Sequence, residues 1–161
     1  MKTPMPPTDR TAILCLWVVL CLSLLVPIDT LAQVAVQIQA QIAVIAHKSV
    51  PLDEIRKGQL FDLYSRDINK WPDKEPVIVF DLKPTGEVKK LFYRFLGKSP
   101  SRMKSIWLKK MLAGESPPPQ ALASEEQILE QVAATAGSVG FINASKADAR
   151  VKVLLLIDAE D

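Results

Sequence analysis

VIVFDLKPTGEVKKLFYRF, residues 77–95, reads as a buried strand that turns into a helix. Val77–Phe80 is a short apolar run of β-branched and aromatic residues, the composition of a strand buried on both faces. Asp81–Thr85 is a tight loop, and the helix opens at Gly86. Val88, Leu91, Phe92, Phe95 and Leu96 then recur at i, i+3, i+4, i+7 and i+8, which puts them on one apolar face. Gly97 ends the helix. A strand that feeds a helix through a Pro-Thr-Gly loop aims free backbone N–H groups at that loop. This geometry suits an anion or small ligand, and it equally serves as an ordinary α/β connection.

Upstream, Ile42–Ala46 (IAVIA) is a second buried strand, followed by the polar loop His47-Lys48-Ser49. Pro51–Tyr64 carries Leu52, Ile55, Leu60, Leu63 and Tyr64 and is expected to be a helix broken near Gly58 and restarted at Gln59. Asn69–Asp73 forms a turn anchored by Trp71. Downstream, Ser99-Pro100 is a cap residue followed by a first-turn proline. The helix it opens places Met103, Ile106, Trp107 and Met111 on one side and stops at Gly114. Ser116–Pro119 is a proline-rich surface linker. Ser124 with Gln127 is a capping box, and its helix buries Ile128, Leu129 and Val132 and closes at Gly137. Ser138–Asn143 (SVGFIN) is a strand in which Gly140 signals close approach of another backbone, and Val151–Ile157 is a last buried strand. Strands alternate with helices, so the fold class is α/β, with a small mixed sheet flanked by helices.

The N-terminus has a different pattern. Lys2 and Arg10 precede an apolar run from Thr11 to Val26, and Thr30-Leu31-Ala32 offers small residues at a cleavage site. Residues 1–32 read as a secretory signal peptide, which leaves residues 33–161 as one domain. The apolar run is shorter than the roughly 20 residues of a spanning helix, so an uncleaved membrane anchor is the lesser alternative. Cys15 and Cys21 both lie inside that run, and residues 33–161 contain no cysteine. The expected location is the periplasm. Residues 33–41 alternate glutamine with apolar residues and suit an edge strand or a flexible start.

Of the 161 residues, 48% are hydrophobic and 24% charged, and the net charge is +2. Removing Lys2, Asp9, Arg10 and Asp29 takes two charges of each sign and leaves that balance unchanged. It argues for no nucleic-acid partner. The basic residues are unevenly spread: Asp81 to Lys110 holds nine of them against two acids. The simplest reading is the solvated faces of two helices, and the sharper one is a surface for an anionic ligand or partner. His47 is the single histidine, and no cluster has metal-ligand spacing. There is no nucleophile elbow, P-loop or dinucleotide fingerprint. The expectation is a binding protein, with no catalytic residue, no metal and no cofactor.

The order of these features resembles the phosphate-binding periplasmic proteins of ABC transporters, in the type 2 periplasmic-binding-protein superfamily. The matching segments are IAVIA, Leu60-Phe61-Asp62-Leu63-Tyr64, Asn69-Lys70-Trp71, Val77–Phe80, Phe92 in the helix, Trp107, and Gly137-Ser138-Val139-Gly140-Phe141-Ile142. The likeness covers about residues 42–143. It implies a single lobe of that fold, binding phosphate or another small anion for a membrane transporter. The ligand-binding residues it suggests are Ser49, Lys83, Thr85, Gly86, Ser138 and Gly140. The alternative is a ligand-free interaction module that binds a membrane or envelope protein. The family's phosphate loop carries Ser-Gly-Thr six residues before the helix phenylalanine, with an arginine just upstream. Here those places hold Gly86-Glu87-Val88 and Leu82, so Thr85 and Lys83 would supply hydroxyl and charge from shifted positions.

Overall fold

The computed structural model describes residues 41–83 and 85–158. The expected signal peptide and the glutamine-alternating stretch to residue 40 lie outside the described residues. Within them, the apolar runs become strands β1 (Ile42–Ala46), β2 (Ile78–Leu82), β4 (Ser138–Asn143) and β5 (Lys152–Ile157), with a three-residue β3 (Gln120–Leu122). The helices are α1 (Lys57–Ser65), α2 (Glu87–Phe95), α3 (Pro100–Leu112) and α4 (Glu125–Ala134). The five strands make one mixed sheet in the order β3-β2-β4-β1-β5. β2 runs parallel to β3 and β4, and β1 runs antiparallel to both β4 and β5.

Two adjacent residues of β4 show how the layers form, because neighbouring side chains on a strand point to opposite faces. On one face is Gly140, where an added Cβ would lie 2.6 Å from Ile128 Cγ2, so α4 packs directly on the strand backbone. On the other, the Phe141 ring stacks on Phe92 of α2 with centroids 3.9 Å apart and planes at 5°. Tyr64 of α1 meets Phe92 edge-on at 4.7 Å. Burying rings of this size contributes roughly 1.5–3 kcal/mol each. The sequence's aromatic and aliphatic periodicities thus converge on this one core.

The chain leaves β2 through α2 and α3 to reach β3 on one side. It then returns through α4 to β4 on the other. The carboxyl end of β2 is therefore the point where the winding reverses.

Several expectations need correction. The helix expected over Pro51–Tyr64 begins only at Lys57, and Gly58 lies inside its first turn. The stretch before it is irregular and tied to β5 instead: the Ile55 N–H donates to the Leu154 carbonyl (3.1 Å), and Lys152 Nζ donates to the carbonyls of Val50 and Leu52. The strand expected over Val77–Phe80 runs on to Leu82, so Asp81 belongs to the sheet rather than the loop. Part of the linker's continuation, Gln120–Leu122, pairs with β2. Last, β5 is an edge strand rather than a fully buried one, with Val153 and Leu156 exposed.

Candidate ligand site

Asp81 and Leu82 bring β2 to its carboxyl end, and the Lys83 N–H closes the pairing on the Leu122 carbonyl of β3 at 2.8 Å. Gly86 then caps α2 in an extended conformation, with no side-chain cap and with Glu87 in the first turn. Beside this loop lies a cavity of about 530 Å3. Its floor comes from Asp81, Lys83, Thr85 and Lys89, one wall from Pro100, Ser101, Lys104, Trp107, Leu108 and Met111 of α3, and the other from Pro118, Pro119 and Ala121.

The charges in this cavity are not equivalent. Lys89 folds back from the first turn of α2 so that its Nζ lies 2.7 Å from Asp81 Oδ2, and it also donates to the Leu82 carbonyl. Both side chains are buried, at 10% and 3% exposure. The ammonium also sits 5.8 Å from the centre of the Tyr93 ring. Burial raises the Asp81 pKa, a shift that Lys89 partly offsets. Tyr93 and Tyr64 are pushed well above the usual phenol value, first by burial and then by the Asp81 charge. Asp81 Oδ1 and Tyr93 Oη are both buried, and the interaction of the two groups lowers the pKa of Asp81 and raises that of Tyr93. The Lys89 charge is thus spent on Asp81. Lys83 and Lys104 are exposed and, among the described residues, have no acidic partner.

Of the six residues expected to bind a ligand, Lys83 and Thr85 line this cavity, and Gly86 caps the helix next to it. The others lie elsewhere. Ser138 pairs with Ile78 at the opposite end of β2, roughly 13 Å from Leu82 at the usual strand rise. Its hydroxyl is buried and donates to the carbonyls of Val132 and Thr135. Ser49 is at that same far end, where its Oγ accepts from the Gly137 N–H and lies 2.8 Å from His47 Nδ1. Gly140 is in mid-strand beneath α4. None of these three lines the cavity.

The sequence reading missed Lys104 and the apolar walls as site residues. Lys104 belongs to the basic run, and Trp107 and Met111 share one side of the helix with Met103 and Ile106. Trp107 does pack inward, with its Nε1 donating to the Tyr64 carbonyl at 2.6 Å, but Met111 is half exposed.

This fold has known counterparts. It is similar to part of the fold of several solved phosphate-binding proteins. A structure described as a phosphate ABC transporter substrate-binding protein with bound phosphate, from Clostridium perfringens, is 20% identical with a TM-score of 0.59. The alignment covers 71% of this chain and 45% of that one. An ABC-type phosphate transport receptor from Vibrio cholerae is 17% identical with a TM-score of 0.56, covering 71% and 46%. PstS from Borrelia burgdorferi is 12% identical with a TM-score of 0.54, covering 72% and 47%. This chain therefore spans less than half the length of each. No family model matches the sequence, and no curated protein matches it.

Proposed function

We propose that this chain is a binding lobe of the periplasmic substrate-receptor type, which takes a small oxyanion of the phosphate class at the carboxyl end of β2. One observation carries this reading: the cavity with Lys83, Thr85 and Lys104 opens where the winding of the sheet reverses. Ligands of open α/β sheets gather at that position. Lys83 and Lys104 supply positive charge, Thr85 and Ser101 supply hydroxyls, and the free N–H groups beyond Gly86 point at the loop. The role proposed is binding rather than catalysis, supported by the description of the Clostridium and Vibrio proteins as transport proteins. Delivery to a membrane transporter and residence in the periplasm are part of the proposal, supported by what the Clostridium and Vibrio proteins are described as.

Calorimetric titration of the purified chain with phosphate, then sulfate, at low salt tests it. The expected result is micromolar binding that Lys83→Ala and Thr85→Ala each weaken at least tenfold. Absence of heat at millimolar phosphate overturns the reading. A second reading, an interaction module for an envelope protein, is favoured by the edge of β5, which no described strand pairs and where Val153 and Leu156 are exposed. Such an edge is a template for adding a strand from a partner.

A further inference from the structure

Three features of the cavity go beyond what an inorganic anion needs. Its volume of about 530 Å3 falls within the roughly 300–1,000 Å3 of sites that enclose organic molecules. Much of its wall is apolar, with Trp107, Leu108 and Met111 facing Pro118 and Pro119. Leu108 and Met111 are 50% and 49% exposed, so hydrocarbon that would gain by being covered is left in water. Inorganic phosphate has no apolar surface to bury against such a wall.

The polar part is equally specific. The acid in the lining, Asp81, is paired with Lys89. That leaves the positive charge of Lys83 and Lys104, which no described acid offsets, at the edge of an apolar space. From this juxtaposition we infer that the ligand is a soluble organic phosphate, with an anionic head on Lys83 and Lys104 and an apolar body against Leu108, Met111 and the proline wall. The inference rests on the oxyanion reading above and names the substrate class of that same site. The two parts reinforce each other: a body that displaces water from the wall lowers the local dielectric and strengthens the pull of the lysines on the head.

The test compares phenyl phosphate, inorganic phosphate and phenol by calorimetry on the full chain at one low salt concentration. Phenyl phosphate is expected to bind at least tenfold more tightly than inorganic phosphate, with phenol showing no binding at the same concentrations. Leu108→Gln, at a half-exposed position, is expected to shrink that margin severalfold. Equal affinity for the two phosphates overturns the organic-body inference and leaves the oxyanion site standing. Phenol binding as tightly as phenyl phosphate overturns both, and so does failure of all three to bind.

Discussion

Lys89 is the residue whose behaviour departs most from its chemical type. A lysine in the first turn of an amphipathic helix ordinarily stays in water, whereas this one is buried against Asp81 and the Leu82 carbonyl. Replacing one partner leaves the other as an uncompensated buried charge, so Lys89→Ala is expected to destabilise the fold by about 3–5 kcal/mol, measured by urea unfolding. Replacing both, as Asp81→Asn with Lys89→Met, should recover a large part of that loss. Asp81 also has a pH signature. Its folded pKa is raised from the ordinary 3.8, so the folded state holds its proton more tightly than the unfolded chain does. The stability this group contributes is therefore full below about pH 3.8 and lost as pH rises through the folded value. Carboxyl carbon NMR of Asp81 should show its titration above 3.8, and a midpoint at or below that value would refute the assignment.

Among the elements, the packing of α4 on β4 gives the sharpest prediction. A methyl group at position 140 meets Ile128 Cγ2 at 2.6 Å, with Val132 Cγ2 at 3.3 Å behind it. Gly140→Ala is expected to cost about 1–3 kcal/mol through overpacking, and Ile128→Leu in the same chain, which has no Cγ2 branch, should return part of it. The cap of α4 is a milder case. Ser124 Oγ accepts from the Gln127 N–H at 3.2 Å, so Ser124→Ala should cost about 1 kcal/mol in denaturant unfolding. Both positions stand out in the sequence, since Gly140 interrupts an apolar strand and Ser124 with Gln127 has the capping spacing, but what approaches Gly140 is the side chains of Ile128 and Val132 rather than the expected backbone. The strands β1, β2 and β4 were legible for a related reason: each is a buried run with its own local composition. β3 was not, because Gln120–Leu122 is short, largely exposed and held by backbone pairing to a strand distant in sequence. The site was half legible. Lys83, Thr85 and Gly86 follow one another along the chain, so a local motif suffices to join them. Whether Ser138 joins them depends on β4 running parallel to β2, and whether Ser49 does depends further on β1 running against β4; strand direction leaves no mark in residue composition. The burial of Lys89 depends on a partner eight residues away across a loop, and helical periodicity alone assigns that position to solvent.

At the level of the whole molecule, the basic excess between residues 81 and 110 meets a cavity whose unpaired lysines are exposed. Attraction to an anion there is open to screening, because the Debye length falls to about 10 Å at 0.1 M salt and below 5 Å near 0.5 M. Phosphate affinity is expected to fall severalfold between roughly 0.02 and 0.5 M sodium chloride, and a salt-independent affinity would place the anion away from these lysines. The described residues build a single sheet, and the chain spans less than half of the two-digit-identity structures that share its fold. Among the described residues no second lobe faces the cavity, so any closure over a ligand here needs a surface from elsewhere.

Among the described residues, the backbone enters the sheet after Gln41 and leaves it before Asp158, and these two residues are joined by a hydrogen bond of 2.6 Å from the Gln41 amide to the Asp158 carboxylate. Ile42 and Ile157 face each other across the β1–β5 ladder. Doorway and exit thus stand side by side, which makes this sheet a cassette: it can be spliced into a loop of another protein without stretching its host. By the same geometry, a circular permutant that links residue 158 to residue 41 and opens between Ser116 and Pro119 retains every strand neighbour the sheet now has.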